Sequence, residues 1–382
     1  MSMVGKVSAL FGAKGLTGVH RGVAELYARR PVLIAASDET LLALPVEGLD
    51  AQRLAEFIGL CAPVMPQLVV TARRAQALGL DAASPMALQL APDVGVNAIL
   101  ALVADVNVDV AIDAKPAGAA AAAAIELVKL SQGLPAVLVA EVASPLTADH
   151  AIVTVDATAV AQFGDEAIRT LTIASKAFVP LDSGRRARFV VFRDGMGGSP
   201  AAIVIGKPDF AKPVLVRLHS ACLTGDVFGS RRCDCGDQLA LAIKRIEETG
   251  GGVVLYLAQE GRGLGLANKM RTYQMQDDGL DTVDANTTLG FDDDERDYGV
   301  AARMLQMLGC NRVVLLTNNP HKLDGLAHYG IDIAGRMPIE APVNADNRRY
   351  LTAKAARAGH RLNHLAASLT DSSDADVAPL AP

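Results

Sequence analysis

The sequence predicts an α/β protein with mixed α+β sheets, arranged as two domains and a short tail. Its 382 residues exceed what one compact core normally accommodates. Short β-rich apolar segments alternate with segments of helical spacing, which indicates layers of sheet and helix. Hydrophobic residues make up 51% of the chain and charged residues 20%, a globular composition. We therefore expect domains at 1–168 and 169–365, followed by a disordered tail at 366–382.

The first domain combines short apolar runs with two segments of helical spacing. The runs are rich in β-branched residues or bounded by turn residues, which predicts strands. The predicted strands are residues 31–37, 67–72, 99–104 and 135–142. The predicted helices are residues 51–61 and 119–131.

A stretch at 181–200 that is rich in glycine and charge opens the second region of the chain. Two β-rich runs on either side of a turn predict a hairpin. An amphipathic helix that ends at Gly250 follows, and a helix–strand pair comes later. The predicted strands are residues 187–194, 201–207, 252–259 and 312–319. The predicted helices are residues 239–250 and 298–310.

Charge and cysteine content exclude several classes of function. A formal charge of −6 argues against broad affinity for nucleic acid or anionic membranes, although a local cluster of Arg and Lys could still bind an anionic small molecule. Five cysteines at low density do not form the framework of a secreted disulfide protein. The N-terminus lacks a signal-peptide pattern, and no apolar run reaches about 18 residues. We expect a cytoplasmic protein.

Three of the five cysteines, Cys222, Cys233 and Cys235, fall within one polar, glycine-containing loop. Thiolates are strong zinc ligands, and structural zinc sites normally have four protein ligands. Only three are evident here, although His219 could serve as a fourth. Three ligands and an open position are the arrangement of a catalytic zinc, which lowers the pKa of a bound water toward neutrality. The spacing leaves catalytic zinc, structural zinc and buried free cysteines open.

Four segments, including the cysteine loop, resemble the GTP cyclohydrolase II family and occur in the family's order. The resemblance extends from about residue 175 to 365, roughly half of the chain. The segments are RLHSACLTGDVFGSRRCDCGDQL (217–239), QEGRGLGLANKMRTYQMQDDGLDTVDAN (259–286), LGFDDDERDYGVAARMLQMLG (289–309) and LLTNNPHKLDGL (315–326).

The resemblance implies a reaction with two hydrolyses and a catalytic residue set. The family's enzymes remove C8 of the guanine ring of GTP as formate and release pyrophosphate, in the first step of riboflavin biosynthesis. The three cysteines would hold one Zn²⁺ per subunit for ring opening. Arg296 would be the nucleophile at the α-phosphorus, and Asp294 would accept its proton if the segment is extended rather than helical. Tyr273 would position a reacting water or a zinc-bound species.

The resemblance also implies a GTP-binding set, Mg²⁺ bound with the triphosphate, and a homodimer. Cations and backbone donors are what a triphosphate requires. One position departs from the family, because Ala221 stands where the family usually has Glu. The implied GTP-binding residues are Arg217, Leu218, His219, Ser220, Ala221, Gln238, Glu260, Gly261, Arg262, Thr282, Thr317 and Lys322.

The N-terminal half resembles a decayed dihydroxybutanone phosphate synthase domain, which is often fused to this cyclohydrolase. Residues 121–142 match that domain's closing helix–strand pattern. The acidic loop of the active form is replaced by ASDETLLALPVEGLD, and the metal-binding His of that family falls at Ala120. Without clustered carboxylates and His we expect no Mg²⁺ site. The half is interpreted as a scaffold or regulatory domain.

Three functions are compatible with these motifs. The first is GTP cyclohydrolase II in riboflavin biosynthesis. The second is a paralogue that performs the same hydrolysis in pyrimidine catabolism. The third is a GTP sensor with structural zinc and no turnover, against which the presence of Tyr273, Asp294 and Arg296 argues.

Overall fold

A computed structural model describes residues 13–106, 108, 112–142, 151–194, 197–357 and 359. The chain divides into two compact units that do not follow a single cut in the sequence. Unit 1 comprises the described residues of Met1–Thr170, Asp194–Gly198 and Gln259–Arg296. Unit 2 comprises those of Leu171–Arg193, Ser199–Ala258 and Asp297–Pro382.

Helices and strands are numbered separately along the chain. The helices are α1 (Lys14–Tyr27), α2 (Ala51–Cys61), α3 (Ala72–Ala77), α4 (Val96–Ala104), α5 (Ala119–Leu130), α6 (Ala157–Arg169), α7 (Cys235–Glu248), α8 (Leu266–Asp277), α9 (Thr282–Thr288), α10 (Gly299–Met307), α11 (His321–His328) and α12 (Arg348–Arg357). The strands are β1 (Val32–Ala35), β2 (Thr40–Pro45), β3 (Gln67–Val70), β4 (Met86–Gln89), β5 (Ala114–Pro116), β6 (Ala136–Glu141), β7 (Thr154–Asp156), β8 (Thr172–Pro180), β9 (Arg186–Arg193), β10 (Ala201–Gly206), β11 (Val214–Ser220), β12 (Gly251–Leu257), β13 (Arg312–Leu316) and β14 (Asp332–Met337).

Unit 1 contains a seven-stranded sheet in the order β5-β4-β3-β6-β2-β1-β7. Its pairs are antiparallel except for β1 with β7, which run parallel. Apolar side chains lie on both faces of the sheet, because strands such as β6 (AVLVAE) are apolar at successive positions. One of the two resulting cores includes Leu264, Met275, Ala285, Leu289 and Phe291, so the segment Gln259–Arg296 contributes to the same core as the N-terminal strands.

Unit 2 contains a second seven-stranded sheet, in the order β14-β13-β11-β12-β10-β9-β8. Strands β11 to β14 pair in parallel, whereas β8, β9, β10 and β12 pair antiparallel. Strands β11, β12 and β13 are almost entirely buried, as expected for parallel strands covered on both faces. The carboxyl ends of β11 and β13 carry several of the candidate site residues, which is the usual ligand-facing edge of a parallel sheet.

Both sheets confirm the predicted mixed α/β fold class. The hairpin of β9 and β10, the helix that ends before Gly250 (φ +88°) and the buried strand β12 all form as predicted. The prediction of a strand at 99–104 is wrong, because these residues belong to α4. Its buried residues are Ile99, Leu102 and Val103, a helical spacing that the continuous apolar run conceals.

The predicted domain division can be compared with the two compact units, whereas the predicted tail cannot. Unit 2 begins at Leu171, close to the expected boundary, but Gln259–Arg296 groups with unit 1. The predicted tail at 366–382 lies outside the described residues. Within the part of the chain that the structure describes, no helix is both long and apolar enough to cross a membrane.

Candidate active site

The three loop cysteines converge within unit 2. Cys222 follows β11, a π-helical turn spans Leu223–Val227, and Cys235 begins α7. The three Sγ atoms lie within 4.8 Å of one another, and those of Cys222 and Cys233 are 3.7 Å apart. Cys222 and Cys233 are buried. Among the described residues this is the only such group of His, Cys, Asp or Glu side chains.

Gly225 permits the close approach of these thiols. A Cβ atom at this position would lie 2.9 Å from Sγ of Cys233, 3.1 Å from Sγ of Cys222 and 3.1 Å from Cβ of Cys235. The pKa of Cys233 is raised, first by its hydrogen bond with Cys222, and the pKa of Cys235 is raised well above its usual value by both neighbouring thiols and by burial. Crowded thiols of this kind oppose one another's ionisation, and a bound cation would relieve that repulsion. The donor set therefore fits a thiophilic metal ion.

Asp226, in the π-helical turn, organises the polar groups beside Cys222. Its carboxylate accepts hydrogen bonds from the backbone N–H of Cys222 at 3.0 Å and from the hydroxyl of Tyr256 at 2.9 Å. Nε2 of His219 lies 3.0 Å from both carboxylate oxygens, and His219 is only 2% exposed. Burial lowers the pKa of His219, and the nearby Arg217 adds to this, while the hydrogen bond to Asp226 opposes it. Nδ1 of His219 is buried and has no hydrogen-bond partner among the described residues.

A chain of charged and polar side chains fixes the other side of the cysteine loop. Asp234, between two of the cysteines and 2% exposed, accepts a hydrogen bond from Nζ of Lys354 at 2.9 Å and one from Nε2 of Gln238 at 2.5 Å. Oε1 of Gln238 accepts in turn from Nη2 of Arg217 at 2.5 Å. Burial disfavours the charge of Lys354, but Asp234 outweighs this and the pKa of Lys354 is raised. The pair is therefore charged.

The remaining unit 2 residues of the predicted GTP set lie at or near the ends of β11 and β13. Arg217 and Lys322 are 5% and 6% exposed. Nη1 of Arg217 donates to the carbonyl of Leu316 at 3.0 Å, and Nζ of Lys322 donates to the carbonyl of Leu218 at 2.8 Å. These contacts hold both cations in the interior of unit 2.

Four neutral residues of the predicted set complete the unit 2 group. Leu218 and Thr317 are each 1% exposed, and Oγ1 of Thr317 accepts from the backbone N–H of Asn319 at 3.0 Å. The backbone N–H of Ala221 donates to the carbonyl of Leu257 at 2.8 Å. Within the part of the chain that the structure describes, the buried Oγ of Ser220 has no hydrogen-bond partner. A buried hydroxyl in this state can serve a ligand as donor or acceptor.

Arg296 and Asp294 form a bidentate ion pair within unit 1. Nε of Arg296 lies 2.6 Å from Oδ1 of Asp294, and Nη2 contacts the second carboxylate oxygen. Residues 292–298 are neither helix nor strand, so the helical geometry that would have separated the two side chains does not occur. Burial would raise the pKa of Asp294, but the hydrogen bond and charge of Arg296 lower it. Two N–H groups of the guanidinium thus face one carboxylate, the geometry required for proton exchange between them.

The other predicted residues of unit 1 lie in the segment before this pair. Gly261 and Arg262 both have φ +62° in a 3₁₀ turn that spans Glu260–Gly263. Arg262 donates from Nη1 to Oδ1 of Asp293 at 2.5 Å, and Glu260 accepts from Lys269 at 2.8 Å. Lys269 also lies 5.7 Å from the ring centre of Tyr273, on α8. Thr282 is the first residue of α9.

The fold and the cysteine cluster define the class to which the chain belongs, that of α/β proteins with a cysteine site able to hold a metal ion. The sequence model of GTP cyclohydrolase II matches residues 172–338. GTP cyclohydrolase-2 of Azospirillum brasilense is 41% identical over 365 residues, which cover 90% of this chain and 94% of that protein. The chain therefore belongs to the GTP cyclohydrolase II family, a family of hydrolases, as the four sequence segments predict.

Two further relatives show which parts of the chain are shared. GTP cyclohydrolase-2 of Xylella fastidiosa (strain 9a5c) is 38% identical over 361 residues, 92% of this chain and 89% of that protein. The riboflavin biosynthesis protein RibBA of Bacillus mycoides (strain KBAB4) is 54% identical over 162 residues, 42% of this chain and 41% of that protein. Similarity to the Xylella protein spans both halves of the chain, whereas the Bacillus protein matches a single stretch at higher identity.

Sequence reasoning missed three residues that support the cysteine loop: Asp226, Asp234 and Lys354. The two aspartates lie within the cysteine loop, so their position beside predicted metal ligands was a usable signal. Lys354 lies 119 residues after Cys235 in a polar helix, and nothing in its local sequence indicates that it contacts the loop.

Proposed function

We propose that the chain is a zinc-dependent GTP cyclohydrolase II that converts GTP to 2,5-diamino-6-ribosylamino-pyrimidinone 5′-phosphate, formate and pyrophosphate, the first step of riboflavin biosynthesis. The observation that carries the proposal is the convergence of Cys222, Cys233 and Cys235 within 4.8 Å. The full-length similarity to proteins named GTP cyclohydrolase-2 supports the same assignment, and the RibBA relative supports the pathway.

The cysteine cluster would hold one zinc ion per subunit. The cluster has three thiolates and no fourth His, Cys, Asp or Glu ligand among the described residues, which would leave a position open for catalysis. When bound there, zinc supplies a nucleophile from water near neutral pH, the chemistry that removal of the guanine C8 as formate requires. Asp226 would keep Cys222 and His219 in fixed orientations, because its carboxylate holds the backbone of one and the ring of the other.

Arg296 and Asp294 would act at the α-phosphorus. A nitrogen of Arg296 attacks phosphorus as the bond to the pyrophosphate group breaks, and the nitrogen's proton passes to Asp294, which already accepts from two of the guanidinium N–H groups. Water then cleaves the phosphorus–nitrogen bond and restores the arginine. Tyr273 would position a reacting water. A protonated guanidinium has no free lone pair, so Asp294 would take this proton before or during the attack.

GTP would bind through the predicted GTP-binding residues, with Mg²⁺ bound to the triphosphate. The buried Nδ1 of His219 and Oγ of Ser220 are available as polar contacts for the nucleotide. We assign catalysis to residues 169–365, a scaffold role to residues 1–168 and a disordered tail to residues 366–382. The proposal includes a homodimer in the cytoplasm.

The proposal is tested by incubating the purified chain with GTP, Zn²⁺ and Mg²⁺ and measuring formate and pyrophosphate. We expect both from the wild-type chain. Arg296→Ala should release no pyrophosphate while GTP binding persists, so that the loss appears in kcat rather than in KM. Arg296→Lys should not restore activity, because an ammonium lacks the planar fork of a guanidinium.

Arg169→Ala is the matched control, since Arg169 is exposed in the same unit and pairs with Glu166 across one helical turn. It should release both products at the wild-type rate. GTP binding without either product from the wild-type chain would identify a sensor and contradict the proposal. Pyrophosphate release by Arg296→Ala at the wild-type rate would contradict the role of Arg296.

A further inference from the structure

The segment that carries Asp294 and Arg296 packs within unit 1 against the N-terminal half of the chain. Side chains of that half bind residues 288–295 directly, namely Thr71, Arg73, Arg74 and Lys129. None of these belongs to the predicted catalytic or GTP-binding set. These contacts indicate a role for the N-terminal half, for which the sequence predicts no chemistry of its own.

Arg74 ties the end of α9 to the end of α4. Its guanidinium is 1% exposed and donates to the carbonyls of Leu102 at 2.7 Å, Ala101 at 2.9 Å and Asp105 at 2.8 Å. A fourth bond runs from Nη1 to the carbonyl of Thr288 at 2.9 Å. Burial lowers the pKa of Arg74 to about 10, with Asp105 opposing that shift, so the side chain is charged at neutral pH.

Gly290 brings the backbone of the segment directly against this site. Oγ1 of Thr71 donates to the carbonyl of Gly290 at 2.6 Å. Gly290 has φ +94°, and a Cβ atom there would lie 2.7 Å from Oγ1 of Thr71. The position therefore requires glycine on two grounds, backbone conformation and contact with the N-terminal half.

Lys129 reaches the residue between Asp294 and Arg296. Its Nζ lies 2.8 Å from a carboxylate oxygen of Glu295, and the two side chains are 20% and 16% exposed. Burial opposes the charge of Lys129, but the hydrogen bond and charge of Glu295 outweigh it and raise the pKa of Lys129.

Glu295 also stabilises the backbone of residues 292–296, which includes Asp294 and Arg296. Its Oε1 accepts from the backbone N–H of Asp292 at 2.8 Å, and its own N–H donates to the carbonyl of Arg262 at 3.1 Å. The Lys129 ammonium thus orients a carboxylate whose backbone lies directly between the two catalytic residues. A displacement of this backbone would move both of them.

We propose that Lys129, through Glu295, is a positioning residue for the Asp294–Arg296 pair, and that the N-terminal half acts in catalysis by holding this segment. The inference rests on the proposed function and extends it. A misplacement of about 1 Å can reduce a reaction rate on the order of a hundredfold, so a partly buried ion pair beside the catalytic residues can control kcat without contacting GTP.

The test compares Lys129→Met with Lys129→Arg and with Lys115→Met, a control at an exposed lysine of the same unit. We expect Lys129→Met to lower kcat for pyrophosphate release on the order of tenfold to a hundredfold with little change in KM for GTP. Lys129→Arg should recover most of the activity, and Lys115→Met should match the wild type. A wild-type kcat in Lys129→Met, or an equal loss in Lys115→Met, would overturn the inference.

A double-mutant cycle with Glu295→Gln tests whether Lys129 acts through Glu295. The glutamine keeps an acceptor for the Asp292 N–H and removes the charge. If the two residues act as a unit, the double variant should be no worse than either single variant, whereas additive losses would overturn the inference. Glu295→Gln alone should also lower kcat, which keeps the test decisive if Lys129→Met does not fold.

Hydrogen exchange of the 288–296 amides gives a readout independent of activity. Exchange should be faster in Lys129→Met than in the wild type and in Lys115→Met, because the turn loses its anchor. Unchanged exchange would contradict the inference. Failure of the proposed function is distinct, since it would appear as a wild-type chain that releases neither formate nor pyrophosphate.

Discussion

Gly225 is the residue on which the geometry of the cysteine cluster depends most directly. It lies in the π-helical turn between Cys222 and Cys233, and all three cysteines surround the position that its side chain would occupy. The residue has no need of a left-handed backbone, so its role is steric. The thiols can approach one another only because this position carries no Cβ.

Gly225→Ala should weaken zinc binding roughly tenfold to a hundredfold, comparable to the loss of an outer-shell support. The methyl group would force apart the Sγ atoms of Cys222 and Cys233. Competition with a chelator of known affinity measures the effect, and Cys233→Ser provides the limit of full loss. Gly164→Ala is the control, because, apart from the adjacent residues and the backbone of its own helix, no atom of the described residues lies within 4 Å of the Cβ it would add. An unchanged zinc affinity in Gly225→Ala would show that the loop accommodates the methyl group.

For individual residues, the sequence indicated the metal ligands and the catalytic pair but not the side chains that hold them in place. Cys222, Cys233 and Cys235 could be predicted because they are close in sequence and chemically distinctive. The predicted role of Asp294 required that its segment not be helical, and the two side chains are in contact in a segment that is neither helix nor strand. Lys129 and Lys354 could not be predicted, since each contacts its partner only through the tertiary fold.

At the scale of elements, α12 closes over the cysteine loop of unit 2 through one buried ion pair. Lys354 is 8% exposed and its ammonium also lies 4.2 Å from the ring centre of Tyr350. Its partner Asp234 lies between two cysteines and is only 2% exposed. If the Lys354 ammonium were removed, water could not solvate the Asp234 carboxylate in its place. The helix thereby couples the stability of unit 2 to the position of the loop.

Lys354→Met should lower the free energy of unfolding by about 3–5 kcal/mol, because it leaves the Asp234 carboxylate buried and unpaired. Chemical denaturation of the full chain, followed by a probe in unit 2, measures this. Lys212→Met is the matched control: Lys212 pairs with Asp209 on the surface, with 77% and 57% of the two side chains exposed, and its loss should cost less than about 1 kcal/mol. Equal costs for the two variants would show that Asp234 regains a partner.

Element prediction succeeded where local pattern and burial agree. Strands β6, β9, β10 and β12 follow from β-branched runs bounded by turn residues, and α2 and α5 follow from helical spacing. Helix α4 was misread because an apolar run of six residues fits a buried strand as well as a buried helix. The start of the helix at Val96, after Gly95, was the signal that could have decided it.

At the scale of the whole molecule, the order of the chain does not follow the order of the compact units. The sequence assigns Gln259–Arg296 to the C-terminal domain, because the motifs of that segment are those of GTP cyclohydrolase II. Its apolar residues instead complete a core of unit 1. No local pattern reveals this, since apolar spacing shows that a face is buried but not what buries it.

Removal of residues 1–170 should therefore separate two properties of the enzyme. Unit 2 retains both of its own apolar cores and all three cysteines, so the shortened chain should still bind one zinc ion. The segment Gln259–Arg296 loses the side chains that complete its core and the contacts of Arg74 and Lys129. Pyrophosphate release should therefore be lost, and the newly exposed apolar surface should promote aggregation. Zinc content and pyrophosphate release are measured on the same soluble fraction. Wild-type pyrophosphate release by the shortened chain would show that the catalytic segment folds without the N-terminal half, whereas loss of zinc together with activity would show that the two units fold only together.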